Sequence, residues 1–349
     1  MTTRAKVLIT GGAGFLGVNL LRFLRSRDYA LASYDLAPLD APDLAGEVEA
    51  IRGDVRDGER VARALEGVNA VVHAAAALPL YSADDIHTTD VGGTRAVLDA
   101  ARRRRVSRVI HISSTAVYGI LEHAPAREDD PLVGVGPYGK AKVEAESVCR
   151  EFRDAGMVVM VIRPATFIGP ERLGVFDLLF DWALDGRHFP VLGRGDHRHQ
   201  FLHVEDVCRA VESGLGGSDS AVNDTFNVGA REFGTLRSDF QAVLDEAGFG
   251  KKIVSLPVAP AIAALRMLSA VGLSPLYPWV YENLDRDVFV SIDKAEERLG
   301  FRPLHSNTDA FLSSFRWYRD HHAEFGAKSG VSHRVPWKQG ALRFARLFF

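Results

Sequence analysis

Cysteine is scarce in this chain: there are two, Cys149 and Cys208, with no metal-ligand spacing between them. That excludes a disulfide framework, leaves no metal site on the sequence, and predicts two buried thiols in a reducing compartment. Charge of one sign is not in excess either. Lys and Arg number 42 against 45 Asp and Glu, a net charge of −3, so there is no global field to attract nucleic acid. A long uninterrupted apolar run is missing too. The longest nearly uncharged stretch, "SLPVAPAIAALRMLSAVGLSPLYPWVY" (255–281), is broken by Arg266 and four prolines, and its helical part is too short to span a bilayer. No internal repeat or low-complexity segment occurs. Nothing like a signal peptide precedes the first apolar segment in "MTTRAKVLIT", which predicts a cytoplasmic protein.

What is present is a chain of 349 residues, 47% hydrophobic and 25% charged, which predicts one large α/β domain and a smaller lobe. Short β-branched runs alternate with longer amphipathic ones. "KVLIT" (6–10), "ALASYD" (30–35), "VEAIRGD" (48–54), "AVVHAA" (70–75), "RVIHISS" (108–114) and "VVMVIRP" (158–164) read as strands. Helices are expected near 15–26, 58–66, 90–104 and 138–155. This alternation predicts a doubly wound parallel sheet. After Pro164 Gly and Pro punctuate 168–200, a helix is expected to open at "VEDVCRA", and "TFNVG" is strand-like. Residues 1–165 are therefore expected to form the sheet domain, with 201–229 returning to it. Residues 166–200 and 230–330 form the second lobe, and 331–349 a basic tail. The run Arg102–Arg105 falls at a predicted helix C-terminus, where cations complement the dipole.

The first chemistry lies in "ITGGAGFLG", which comes after a strand and opens a helix. Gly11, Gly14 and Gly17 permit a tight turn, close backbone approach to a pyrophosphate, and close helix–strand packing. Asp35 ends the second strand, eighteen residues after Gly17. A carboxylate there accepts from the adenosine ribose hydroxyls and repels a 2′-phosphate. Neither Leu36 nor Ala37 offers the Arg a phosphorylated cofactor needs, so NAD is preferred over NADP. "GDV" (53–55) is expected to bring Asp54 to the adenine.

The second chemistry lies in "GPYGKAK" (136–142), where Tyr138 and Lys142 fall one helical turn apart. Upstream, "HISSTAVYG" (111–119) puts hydroxyls at the carboxyl end of a predicted strand, where open α/β sheets bind ligands. Hydride leaves a C–H as the adjacent hydroxyl loses its proton, so a base must reach that oxygen. Free tyrosine, with a pKa of about 10, is a poor base at neutral pH. A neighbouring ammonium and a cationic nicotinamide favour its phenolate. Ser114 is placed to hold the substrate oxygen, and Lys142 to hold the nicotinamide ribose.

Together these residues resemble an extended short-chain dehydrogenase/reductase of the NAD-dependent epimerase/dehydratase group. The matching segments are TGGAGFLG (10–17), Asp35, GDV (53–55), HAAA (73–76), SSTAVYG (113–119), YGKAK (138–142), RPATFIGP (163–170), FLHVEDV (201–207) and FNVG (226–229), within residues 5–325. The resemblance implies a Rossmann domain with a C-terminal substrate lobe, and a homodimer through the helices near 90–104 and 138–155. It implies Tyr138, Lys142 and Ser114 as the catalytic residues. Phe15, Leu16, Val55, Ala74, Ala75 and Pro164 would line the cofactor beside the glycines, Asp35 and Asp54. Ser114, Thr115, Thr166, Arg194, Arg198 and His199 would face the substrate. Asp90 departs from the pattern, since these enzymes usually carry Asn there and a carboxylate cannot donate as an amide does.

The substrate is read from departures. Sugar 4,6-dehydratases follow the active-site Thr/Ser with Asp and Glu, whereas this chain has Thr115 and then Ala116, so the acid and base for water loss are missing. Nucleotide-sugar epimerases commonly have Asn where Thr166 stands, and an Arg diphosphate clasp where His199 stands, with Arg194 and Arg198 nearby. The run 255–281, with Leu276, Tyr277 and Trp279, resembles the lipophilic region of 3β-hydroxysteroid dehydrogenases; a core helix with a proline-rich connection is the other reading. The leading expectation is a lipophilic secondary alcohol, with nucleotide-sugar epimerisation through a transient ketone as the alternative. A non-catalytic NAD-binding regulator is the third, disfavoured because Tyr138 and Lys142 are both present. The tail "HRVPWKQGALRFARLFF" (333–349) sets Trp337, Ala341, Phe344 and Phe348 at helical spacing among Arg334, Lys338, Arg343 and Arg346. Such a helix can lie peripherally at the inner face of a membrane, or dock on protein.

Overall fold

The structure, a computed structural model, describes residues 4–173, 176–258 and 286–324. Most of the apolar run 255–281, including Leu276, Tyr277 and Trp279, and the whole of the tail 333–349 lie outside the described residues.

Strands β1 (Ala5–Thr10), β2 (Tyr29–Asp35), β3 (Val48–Arg52), β4 (Ala70–His73), β5 (Arg108–Ile112), β6 (Val159–Pro164) and β10 (Thr225–Val228) form one parallel sheet in the order β10-β6-β5-β4-β1-β2-β3. Between β6 and β10 the chain adds β7 (Thr166–Ile168), β8 (Phe189–Leu192) and β9 (Phe201–His203), and after β10 comes β11 (Ile253–Leu256). Central strands read as continuous apolar runs because helices cover both their faces: all six residues of β6 and all four of β4 are buried. The order reverses between β1 and β4, and this switch point is where such sheets open a crevice at their carboxyl ends. Register brings Thr10 beside His73, and His73 beside His111, so the loops after these three strands emerge together.

One face carries α1 (Phe15–Arg25) and α7 (Val204–Gly216), packed on each other with Leu20, Leu21, Leu24, Val207 and Val211 buried. The opposite face carries α2 (Gly58–Ala64), α4 (Gly93–Arg103) and α5 (Gly136–Asp154), which bury Val61, Val97, Val148 and Phe152. Each such aliphatic or aromatic side chain contributes roughly 1.5–3 kcal/mol on full burial. Cys149 and Cys208 lie free in these two layers, and burial pushes both thiols up. At the end of α4, Arg102, Arg103 and Arg104 pair with Asp99, Glu59 and Glu66 on the surface.

The expected helix near 90–104 is preceded by α3 (Ala83–His87) and a π-helical turn over Thr88–Gly92. Gly93 lets α4 press on the β3–α2 connection, since a Cβ there would meet Val55 Cγ2 at 2.8 Å. A separate apolar cluster unites α6 (Asp177–Leu184), α9 (Leu236–Ala247) and α11 (Asn307–His321) through Phe176, Phe180, Leu244, Phe311 and Phe315. Strand β7 pairs with β9 and β8 with β11, outside the main sheet. Short α8 (Asp219–Val222) and α10 (Asp293–Leu299) flank β10.

Candidate active site at the carboxyl end of the sheet

The glycine turn is held by its own backbone. Gly11 has φ +70° and donates its N–H to Tyr34 O at 2.9 Å; a Cβ there would sit 2.7 Å from the Ala75 nitrogen. A side chain at Gly17 would meet Gly11 O at 2.2 Å. Gly14 caps α1 without a side-chain bond, and the first turn carries no acidic residue. Its orphan N–H groups and dipole are therefore available to an anion. Phe15 and Leu16 are buried, Phe15 stacking on Phe167 at 5.9 Å.

Asp35 stands at the lip of this turn. One carboxylate oxygen accepts from Ala13 N–H (3.0 Å) and the other from Ala37 N–H (2.9 Å). Ala74 and Ala75 face Gly11 across the switch point, their N–H groups reaching Thr10 O and Thr10 Oγ1. Val55 is buried. Asp54 is engaged by the Arg56 guanidinium at 2.6–3.0 Å, whose hydrogen bonds hold its carboxyl below the usual range. Pro164 ends β6 where the chain turns over β10, Ala165 N–H bonding Val228 O at 2.8 Å. A floor of glycine backbone, an open helix start and a fixed carboxylate fit a dinucleotide, with the pyrophosphate at α1 and the ribose diol at Asp35.

On the other side of the switch point, α5 begins at Gly136–Pro137 and sets Tyr138, Lys142 and Glu146 along one stripe. Gly139 lets this helix approach the turn Thr115–Tyr118, since a Cβ there would meet Ala116 O at 3.1 Å. Tyr138 is half-buried, Lys142 is 2% exposed, and the Lys142 nitrogen lies 5.6 Å from the centre of the Tyr138 ring. Ser114 caps the 115–118 turn by accepting Ala116 N–H (3.1 Å), which leaves its own proton to donate. Thr115 comes next, half-buried.

Glu146, Arg163 and Ser113, none of them among the expected site residues, brace this assembly. Glu146 binds Arg163 through both oxygens at 2.7–3.1 Å, with both side chains 3% exposed, and accepts from Ser113 Oγ at 2.5 Å. Arg163 also donates to Tyr118 OH, which reaches Asn227 Oδ1 at 2.7 Å. The network thus ties β5, β6, β10 and α5 together. Glu146 was legible as the next turn of the Tyr138–Lys142 stripe; Ser113 carried no such signal. Buried His73 bonds Thr10 (2.7 Å) and Thr94 (3.1 Å), and burial pushes its pKa down to about 3.

The residues expected at a diphosphate are differently disposed. Arg198 meets Asp287 at 2.7 and 2.8 Å, and Arg194 meets Asp196 at 2.8 Å. His199 packs at a tilt against Phe201, ring centres 4.7 Å apart, and burial pushes it down to about 4, so it is neutral. Thr166 opens β7, in register with Phe201.

A parallel doubly wound sheet with this cradle and this Tyr–Lys stripe defines a nicotinamide-dinucleotide oxidoreductase. The family model described as "NAD dependent epimerase/dehydratase family" matches residues 7–229, and the chain belongs to that family, with NAD as its cofactor. It is 34% identical over 339 residues to the uncharacterized protein y4nG of Sinorhizobium fredii, covering 96% of this chain and 84% of that one. It is 27% identical to a 3 beta-hydroxysteroid dehydrogenase/Delta 5-->4-isomerase of Mycobacterium tuberculosis, covering 91% of each. Among solved structures, the dTDP-glucose 4,6-dehydratase DesIV of Streptomyces venezuelae, with NAD and TYD bound, superposes with a TM-score of 0.75 at 26% identity. It covers 91% of this chain and 98% of that one. No helix among the described residues is long and apolar enough to cross a membrane.

Proposed function

We propose that this enzyme moves hydride between NAD and a lipophilic secondary alcohol or ketone, of sterol-like or long-chain type. The observation that carries the substrate class is that His199, which burial keeps neutral, stands where a diphosphate clasp needs an Arg, while Arg194 and Arg198 lie in exposed pairs with Asp196 and Asp287 that a phosphate would have to displace. An Arg fork must be free to hold a phosphate bidentately. The likeness to a hydroxysteroid dehydrogenase, 27% along 91% of the chain, is matched by one of 28% along the same share to a dTDP-glucose 4,6-dehydratase, so the choice rests on the residues. Elimination of water is disfavoured because Thr115 and Ala116 supply neither acid nor base there.

NAD, when bound, accepts or returns the hydride. Gly11, Gly14 and Gly17 would hold its pyrophosphate and Asp35 its adenosine ribose, with Phe15, Leu16, Val55, Ala74, Ala75 and Pro164 lining the cleft. Tyr138 exchanges the hydroxyl proton, Lys142 holds the positive charge beside it, and Ser114 donates to the substrate oxygen. Nucleotide-sugar 4-epimerisation is the second reading, favoured by the likeness to a dehydratase solved with TYD.

Calorimetric titration of the NAD-loaded protein with UDP, dTDP, GDP and CDP separates the two. The lipophilic reading expects no saturable binding, together with NADH formation from a sterol or long-chain secondary alcohol. Saturable binding of one nucleotide would replace it with the epimerase. Homodimerisation through α4 and α5 is proposed on the resemblance, and sedimentation velocity of the full chain tests it.

A further inference from the structure

Lys142 is an amine without water. Its side chain is 3% exposed, and its nitrogen lies 3.3 Å from Oδ2 of Asp90, whose side chain is 0% exposed. Asp90 comes from the π-helical turn Thr88–Gly92, a device that adds a residue to one turn and redirects the rest of the helix. The carboxylate is fixed independently of the lysine. Oδ1 accepts the Ala77 N–H at 2.8 Å, and Thr94 Oγ1 bonds the Asp90 carbonyl. Among the described residues Oδ2 has no hydrogen-bond partner, so its charge is turned to Lys142 alone.

The other groups facing Lys142 supply less of that charge than Asp90 does. From its own helix come Tyr138 and Glu146, and Glu146 is shared with Arg163 and Ser113. From β4 and β5 come His73 and His111, 5.3 Å apart and both neutral because burial pushes them down. From α3, His87 pairs with Glu144 on the exposed side of α5. Burial alone disfavours an ammonium; here the nearby Asp90 carboxylate, with Tyr138 and Glu146, outweighs it and holds Lys142 above its ordinary value.

We propose that Asp90 is a positioning residue, the counter-ion that keeps the buried Lys142 ammonium charged and aimed at Tyr138. This rests on the reading that Tyr138 and Lys142 handle the reaction's proton. Without the carboxylate, burial meets less opposition, Lys142 sheds its proton in a lower pH range, and over that range the phenol loses the cation beside it. An amide at position 90 keeps the shape and the acceptor for Ala77 N–H while removing the charge.

The test is an NMR titration of the full chain with isotope-labelled lysine, tracking the side-chain signal that disappears in Lys142→Met. In the wild type this signal should stay in its ammonium form beyond the range where the exposed lysines titrate. In Asp90→Asn it should titrate at lower pH than in the wild type, and the alkaline limb of hydride transfer should move down with it. A Lys142 signal that titrates with or below the exposed lysines in the wild type overturns the proposal, whether or not Asp90→Asn folds. So does a folded Asp90→Asn protein whose Lys142 titrates unchanged. Because the titration needs no substrate, failure of every alcohol to yield NADH would count against the proposed function and leave this result standing.

Discussion

Lys142 and Arg198 are both cations set against a carboxylate, and they differ in solvent rather than in contact. The Arg198–Asp287 pair is the closer, at 2.7 Å against 3.3 Å, yet its side chains are 55% and 32% exposed where those of Lys142 and Asp90 are 3% and 0%. In water an ion pair is worth about 0–1 kcal/mol. In a dry interior the same charges interact several-fold more strongly, and each becomes costly if its partner is removed. The reacting end of the molecule is therefore built from charges that cannot be rearranged cheaply. The second lobe presents charges that a ligand can compete for.

The largest expected effect falls on the dry side. Tyr138→Phe removes the phenol proposed to exchange the proton and leaves the cradle at Gly11, Gly14, Gly17 and Asp35 untouched. Hydride transfer should fall about 10²–10⁴-fold with NAD affinity nearly unchanged, measured by single-turnover NADH formation and by calorimetry. A near-normal rate would mean that the stripe Tyr138–Lys142–Glu146 is structural.

Next comes the brace behind that stripe. Glu146→Gln leaves the Arg163 guanidinium, 3% exposed, without its counter-ion. Denaturant unfolding should show a loss of about 3–5 kcal/mol, the usual cost of breaking a buried pair from one side. A loss under about 1 kcal/mol would put this pair in the same class as Arg198–Asp287.

Acid should strain the dry interior before the surface. His73 is held near 3 and His203 near 4, burial being the main cause in both, against an unfolded value of about 6.5. The unfolded chain therefore binds protons that the folded one refuses. Stability is complete above pH about 6.5 and falls as pH drops toward 4, by about 1.4 kcal/mol per pH unit for each histidine. His73→Asn, which can keep a bond to a threonine, should flatten this slope in thermal unfolding; an unchanged slope would mean that His73 has no part in it.

Much of the sheet was legible in the sequence. β1, β2, β4 and β6 are buried strands whose near-continuous apolar runs announce them, and the observed strand and helix limits fall within about three residues of the expected ones through β6. The glycine turn and Asp35 were legible because steric need and charge select them locally. The pairings Lys142–Asp90 and Glu146–Arg163 join residues 52 and 17 positions apart, and only the tertiary packing of α5 brings each together. The second lobe was less legible: β7, β8 and β11 are strands of three or four residues, paired across long separations and too short for an alternating pattern. Arg194 and Arg198 were expected to face the substrate, while their carboxylate partners Asp196 and Asp287 could not be assigned by spacing.

The smallest effect tests the wet side of the comparison. Arg198→Ala removes an exposed pair and a cation–π contact with Phe289 at 4.5 Å, while the Arg198 backbone N–H keeps its 2.8 Å bond to Asp287. Stability should change by about 1 kcal/mol or less, because water replaces the partner of each charge. A loss above about 2 kcal/mol would show that Asp287 depends on its cation as a buried charge does, and the division between fixed and negotiable charges would fail. The same variant also bears on the substrate. If the wild type binds a nucleoside diphosphate and Arg198→Ala does not, the guanidinium exchanges Asp287 for phosphate. The exposed pair would then be the resting state of a clasp, and nucleotide sugars would displace lipophilic alcohols as the substrate class.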